Sequence, residues 1–502
     1  MNHLLAHLPL DRLQAVRAGR DLPLHATGTV VFADISGFTP LTELLLRTLG
    51  SRRGAEALTS LLDRVYDPLI AAVHAYGGSV IGFSGDAITT WFPGPDARPA
   101  LACALAMQRA MDDLAATPPP AEAPVTLKLK VCIARGPVQR MVVGDPAIQL
   151  IDVLAGPPLD LLGAIDHLAR PGEALVEGTL AEELAGQLVL GAWREDPATG
   201  ARAALLQDLR QPVPPRPTEP RWDAGRDAAE LRAWVAPAVL ARLEDAHAPF
   251  LTELRPVVAL FLRFGAGEET IDLAGVRTYI SAVQGVLARY EATLIQVTLG
   301  EKGSYLYAAF GAPIAHEDDI RRAVRAAMEL RQMPMDERSG VQIGIAQGIA
   351  RTGLYGSAAR QTYGVLGDAV NLAARLMQHA RPGQILANDH VWSTTSAHFH
   401  WQTMPPLTVK GKRLSIEVAS LRAAAPVAAP AQPVSQTPLA GREAELRTLR
   451  ELLGQTAPTS GQAVAITGAA GIGKSRLVHE GLATLADDWL VIQSATQSYG
   501  AA

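Results

Sequence analysis

An α+β architecture, built from two unequal copies of one strand–helix–hairpin unit, is the fold class this 502-residue sequence predicts. Three observations carry that expectation. The same order of apolar strand, amphipathic helix, hairpin, helix and strand runs through residues 29–134 and again through 257–349. Hairpins stand among the helices, which favours a mixed sandwich over a doubly wound parallel sheet. Proline-rich stretches at 210–221 (RQPVPPRPTEPR) and 423–438 (AAAPVAAPAQPVSQTP) interrupt the chain where neither a helix nor a central strand is sustained.

These breaks divide the chain into an N-terminal segment (1–24), a first copy (25–209), an interdomain linker (210–249), a second copy (250–421), an Ala/Pro linker (422–438) and a third segment (439–502). In the first copy, TVVFADI at 29–35 is an apolar strand. Ser36-Gly37 leads from it into a helical pattern with Leu58, Leu61, Leu62, Val65, Leu69 and Val73 on one face. Gly77-Gly78 breaks that helix, and a hairpin over 79–92 turns at Ser84-Gly85-Asp86. A helix at 97–115 and a strand at 125–134 follow. The second copy repeats the order with a strand at 257–264, a helix marked by Val276, Ile280, Val283, Val286 and Tyr290, a hairpin at 294–310, a helix at 320–331 and a strand at 341–349. Two such units packed face to face bury a shared cleft, a common place for a ligand site.

Composition narrows the class. Hydrophobic residues make up 48% of the chain, enough for several cores, and a net charge of −5 gives no electrostatic footprint for nucleic acid. No apolar run reaches the ~20 residues of a membrane-spanning helix, and residues 1–23 lack the regions of a signal peptide. The two cysteines, Cys103 and Cys132, argue for a reducing compartment, so a cytoplasmic protein is expected.

The chemistry begins with two carboxylates. Asp34 ends a buried strand and Asp86 sits in a hairpin turn. Either alone reads as an ordinary turn residue. At adjacent strand ends the two are able to share hard cations, which take oxygen ligands and complete their shells with substrate phosphates. FADISGFT at 32–39 and GGSVIGFSGDAITTWF at 77–92 resemble the two metal-binding signatures of class III adenylyl and guanylyl cyclases. The resemblance implies a ferredoxin-like catalytic core used as a pair with its site at the interface. Here the pair is an intramolecular pseudo-heterodimer, for which a monomer suffices. It further implies that Asp34 and Asp86, helped by the Ile35 carbonyl, bind two Mg²⁺ or Mn²⁺ ions. The amides around Gly37 and Phe38 then face the triphosphate, and Lys130 matches a basic position on the phosphates. The hairpin lysine of the family is replaced by Gly82, and the family's asparagine–arginine helix by PLDLLGA at 158–164.

The second copy has the opposite losses. VVALFLRF at 257–264 offers Leu262 or Arg263 in place of Asp34, and Ser304 stands opposite Asp86 when Phe310 is aligned with Phe92. YGVLGDAVNLAARLM at 363–377 is similar to the family helix, with Asn371 and Arg375 four apart on one face. By that resemblance Asn371 orients the ribose and Arg375 neutralises charge developing on the α-phosphate. Lys302, in an E-K-G-S turn like the D-K-G-C turn of the soluble, tandem-domain, bicarbonate-responsive cyclases, is the adenine candidate. Gly364 stands at its usual partner position, beside Thr362. Lys410 matches a second triphosphate lysine. The reaction implied is conversion of ATP to 3′,5′-cyclic AMP and pyrophosphate by in-line attack of the ribose 3′-oxygen. The alternatives are a guanylyl or relaxed purine cyclase, or a catalytically silent nucleotide-sensing module. With Gly82 and the 163–164 region at the anion-binding positions, no bicarbonate response is expected by that route.

The third segment reads VAITGAAGIGKS, in which Gly468, Gly473, Lys474 and Ser475 fit a P-loop between an apolar strand and a helix. The preceding 439–453 resembles the entry helix of AAA-like or STAND ATPases. The sequence reaches only one strand further, so a truncated NTPase with no hydrolysis is expected.

Overall fold

The computed structural model describes residues 2–116, 127–216, 228–244, 252–265, 273–300, 303–333, 340–407, 415–425, 441–454, 463–467, 473–483, 485 and 489. The chain divides into two units, Met1–Ala425 and Pro426–Ala502.

The first unit opens with two short helices, α1 (Asn2–Leu5) and α2 (Leu10–Arg17). Then come β1 (His25–Ser36), α3 (Phe38–Ala75), β2 (Ser79–Ser84), β3 (Ala87–Pro93), α4 (Arg98–Ala116), β4 (Lys128–Val143), β5 (Ile151–Ala155), α5 (Pro157–Ile165), β6 (Ala174–Glu177), α6 (Gly178–Glu183), β7 (Leu188–Glu195) and β8 (Arg202–Leu209). After α7 (Ala228–Arg232) and α8 (Pro237–Glu244) the same order returns. It runs β9 (Glu253–Phe264), α9 (Leu273–Arg289), β10 (Thr293–Thr298), β11 (Ser304–Phe310), α10 (Asp319–Arg331), β12 (Gln342–Gly356), β13 (Gln361–Leu366), α11 (Asp368–His379), β14 (Ile385–Asn388), α12 (Asp389–Thr395), β15 (Phe399–Leu407) and β16 (Ile416–Ala424).

The two sheets are built alike. The first runs β2-β3-β1-β4-β6-β8-β7 with β5 on β4, and the second β10-β11-β9-β12-β14-β16-β15 with β13 on β12. Both faces of each central strand are buried, which accounts for their unbroken apolar runs. In β9, Val258, Leu260, Leu262 and Phe264 face one core, while Val257, Ala259 and Phe261 face another. Against the first sheet, α3 presents Leu58, Leu62, Val65, Tyr66, Leu69 and Val73 at helical spacing. Its dihedral break at Gly50 (φ 75°) divides it into two helical stretches.

The halves exchange arms. Met141, Val143, Val153 and Ala155 of the β4–β5 arm are buried in the second half's core. Tyr355, at the tip of the β12–β13 arm, is buried in the first half's core. Polar contacts follow the same seam: Gln284 accepts from the Asp145 amide at 2.7 Å, and Gln296 Nε2 donates to Ser84 Oγ at 2.7 Å.

The N-terminal segment, read as separate from the sequence, is part of this core. Leu4, Leu8 and Leu13 pack with Leu231, Val235 and Val239 of the interdomain region on the second sheet. Beside them Arg12 and Arg140 bracket Asp152, with Nε–Oδ2 at 2.9 Å for Arg12 and NH2–Oδ2 at 2.8 Å for Arg140; Arg140 also pairs with Asp11. In the second unit, α13 (Glu443–Gly454) packs against α14 (Lys474–Leu482), where Gly481 lies close beneath Leu449.

Candidate functional site

Asp34 lies near the end of β1, in register with Ala87 of β3 on one side and Lys130 of β4 on the other. Asp86 occupies the turn between β2 and β3, and its carbonyl accepts the Ile35 N–H at 3.3 Å. The turn needs Gly85 (φ 66°), just as the start of α3 needs Gly37 (φ 94°). Lys130 Nζ stands 2.8 Å from Asp34 Oδ2 and 3.2 Å from Asp166 Oδ1. Burial disfavours the lysine's charge, yet the two carboxylates outweigh it and hold the pKa above its ordinary value. The Asp86 carboxyl is pushed up to about 6, first by burial and then by the charge of Asp34.

This is an oxygen-only donor set of two converging carboxylates and a nearby backbone carbonyl, with no thiolate or imidazole in it. Among the described residues, no group of three or more His, Cys, Asp or Glu would hold a metal alone. A pair of carboxylates completed by substrate phosphates is what Mg²⁺ prefers, so the residues fit the expected divalent ions.

The second half supplies the other pole. β13 runs into α11, which lies so close to β12 that a Cβ on Gly344 would collide with the Ala373 and Met377 backbone. The helix therefore sits flat on the sheet and presents Asn371, exposed, and Arg375, half-buried, one turn apart. Thr362 lies on β13, its hydroxyl 3.4 Å from the Tyr363 carbonyl, and with Gly82 and Gln296 lines a cavity of about 130 Å³. Gly364 has a structural cause: the Tyr355 ring fills the space a side chain there would need.

The structure thus gathers Asp34, Asp86 and Lys130 in the first half, and places Thr362, Asn371 and Arg375 along one β13–α11 segment of the second. Lys302, Lys410, Gly468 and the side chains of Phe38 and Ser475 lie outside the described residues. Gly473 (φ 98°) caps α14 and Lys474 begins it.

Strand register settles which residues correspond. Tyr305 pairs with Arg263 as Ala87 pairs with Asp34, so Arg263, not Leu262, stands in the place of Asp34, and Ser304 in that of Asp86. The repeated A-R-P-G after α5 and α11 aligns Asp160 and Ala164 with Asn371 and Arg375. The second pseudo-equivalent site is therefore inverted in charge, with an arginine on the metal side and an aspartate on the helix.

Sequence reasoning missed Tyr66, Tyr355 and Asp166. For Tyr355 a signal was present in Gly356 and Gly364, two glycines where a strand arm makes room for a ring.

Two sheets of identical order, with a carboxylate pair on one and an Asn/Arg helix on the other, are the arrangement that the resemblance to class III nucleotidyl cyclases implies. Residues 276–421 match the family model of the adenylate and guanylate cyclase catalytic domain, and residues 438–502 that of the AAA ATPase domain. The chain thus carries a class III cyclase catalytic domain followed by AAA ATPase sequence. That match falls on the second half; the first is tied to the same architecture by its strand order. The chain is 23% identical to adenylate cyclase type 10 of Mus musculus over 424 residues (76% of this chain, 26% of the relative). It is also 23% identical to adenylate cyclase type 10 of Homo sapiens over 447 residues (81% and 27%). It spans about a quarter of the length of these relatives. The crystal structure of a class III adenylyl cyclase-like ATP-binding protein from Pseudomonas aeruginosa shares the fold at a TM-score of 0.52 and 14% identity, covering 74% of this chain and 88% of that one. No helix among the described residues is long and apolar enough to cross a membrane.

Proposed function

We propose that the two halves form an intramolecular pseudo-heterodimer with one active site, which converts ATP to 3′,5′-cyclic AMP and pyrophosphate. The observation that carries this reading is complementary loss. Only the first half keeps the carboxylate pair, Asp34 and Asp86, and only the second keeps Asn371 and Arg375. Unselected decay would have damaged both sites.

In this site Asn371 holds the ribose so that its 3′-oxygen lies in line with the α-phosphate. Arg375 meets the negative charge that grows there, a fixed cation worth about 3–4 kcal/mol in comparable sites. Lys302 donates to adenine N1 with Thr362 beside it. Lys410 and the amides of Gly37 and Phe38 hold the triphosphate. Lys130, tied in this structure to Asp34 and Asp166, exchanges a carboxylate for a phosphate oxygen as substrate binds. Asp34, Asp86 and the Ile35 carbonyl would hold two Mg²⁺ or Mn²⁺ ions, which would supply activation of the 3′-hydroxyl and neutralisation of the leaving pyrophosphate.

Incubating the purified chain with ATP or GTP under each ion, and identifying the product by chromatography, tests the reading. Cyclic AMP formed in preference to cyclic GMP supports it; equal turnover of both makes the chain a relaxed purine cyclase. A second reading, a silent nucleotide-sensing module, draws support from the Pseudomonas fold relative being described as a cyclase-like ATP-binding protein. ATP binding by a folded chain with no cyclic product under either ion would establish it instead.

A further inference from the structure

Tyr355 belongs to the second half by sequence and to the first half by packing. It lies at the tip of β12, is 4% exposed, and joins the core of the first sheet. Its ring is flanked by Phe83 at 5.3 Å and Tyr66 at 5.9 Å, which are themselves edge to face at 5.5 Å. Both partners lead directly to the acidic turn. Phe83 sits on β2 three residues before Asp86, and the Tyr66 hydroxyl lies 3.5 Å from the Gly85 carbonyl. Burial holds the Tyr355 phenol protonated, outweighing the Arg351 guanidinium that pulls the other way, and the nearby Asp86 charge adds to it.

Three features fix the ring from its own side. Gly364 leaves room beneath it, since a Cβ there would overlap the ring edge. Gly356 (φ 125°) brings the arm so near Phe83 that a Cβ there would stand 3.2 Å from its Cζ atom. The Arg351 guanidinium, 5.8 Å from the ring centre, is anchored at 2.9 Å on the Leu354 carbonyl and 3.3 Å on Thr252. The opposite arm has Val143 at the matching position, so a ring is present only where the arm meets the carboxylate turn.

We propose that Tyr355 is a positioning residue acting across the two halves: with Tyr66 and Phe83 it forms the floor that sets the Gly85–Asp86 turn. The carboxylate pair of the first half then has its cation-binding geometry only while the second half is docked. This rests on the reading of Asp34 and Asp86 as ion ligands, but not on the identity of the nucleotide product.

The test is Mn²⁺ binding to the full chain, without nucleotide, followed by electron paramagnetic resonance. Variants are Tyr355→Leu, which removes the ring, Tyr355→Phe, which keeps it, and Gly364→Ala, which pushes the ring from the second-half side. Tyr355→Leu and Gly364→Ala are expected to weaken Mn²⁺ about tenfold, the usual scale for a lost support behind a metal ligand, and Tyr355→Phe to rescue it. In turnover the loss falls on the metal requirement, with little change in the KM for ATP. Unchanged Mn²⁺ affinity in a folded Tyr355→Leu overturns the proposal; should that variant not fold, unchanged affinity in Gly364→Ala does so. If the unsubstituted chain binds Mn²⁺ and the variants weaken it while no cyclic product forms, the positioning role stands and the cyclase reading fails. If product forms and affinity does not move, the reverse holds.

Discussion

The Lys130 ammonium lies 2.8 Å from Asp34 Oδ2, its register partner across β1 and β4, so a fixed cation already sits on the Asp34 carboxylate. An incoming metal ion competes with it. Lys130→Ala should tighten Mn²⁺ binding without nucleotide by about three- to fivefold, the scale of a partly exposed ion pair. The same variant should raise the KM for ATP, because a phosphate contact is gone. Calorimetry and steady-state kinetics read the two effects separately; weaker Mn²⁺ binding would contradict the competition.

Asp86 is held against its chemistry. Burial and the Asp34 charge push its carboxyl up to about 6 from an ordinary 3.8. A raised folded pKa means the folded state holds the proton more tightly. The contribution of Asp86 to stability is therefore greatest below pH 4, falls as pH rises from 4 to 6, and stays lower above. Asp86→Asn should stabilise the metal-free chain at pH 7.5 by roughly 2–3 kcal/mol while removing turnover, with the gain shrinking toward pH 4. Urea unfolding at the two pH values measures it.

The buried network at the N-terminal helix predicts the opposite sign. Asp152 is almost fully enclosed between Arg12 and Arg140. Arg140→Met leaves Asp152 and Asp11 short of charge compensation and should cost about 3–5 kcal/mol in unfolding free energy. Asp152→Asn in the same background should recover part of that loss, because the uncompensated buried charge is what the single variant creates.

The pseudo-equivalent cavity, about 380 Å³, is lined by Asp152, Asp160 and Asp166, with no lysine or arginine among its described lining residues. A small anion entering it meets these carboxylates, while Arg263, at the position matching Asp34, stands outside its described lining. Bicarbonate titrated at constant pH and ionic strength should leave turnover unchanged, and clear activation would contradict this.

The repeat was legible in the sequence because each copy had to bury both faces of its central strands. The carboxylates and the Asn371–Arg375 helix were legible because a fixed spacing on one turn or one helix face carries their chemistry. What was not legible lies across the seam. Tyr355 and Tyr66 are 289 positions apart in the chain and meet only because the arms exchange. Arg263 and Leu262 were indistinguishable until strand register decided between them. The N-terminal helices escaped notice because α2 is short and weakly patterned, its burial depending on Leu8 and Leu13 meeting partners from the interdomain region.

The central claim is one site built from two halves. Cyclic AMP formation from ATP by the unsubstituted chain, by Asp34→Asn, by Arg375→Ala, and by Asp160→Asn in the degenerate pocket tests it most directly. Asp34→Asn and Arg375→Ala should each lower kcat by about 10²–10³ or more in folded protein, and Asp160→Asn should leave it intact. Equal loss on Asp160→Asn, or survival of full turnover in either of the first two, would contradict it.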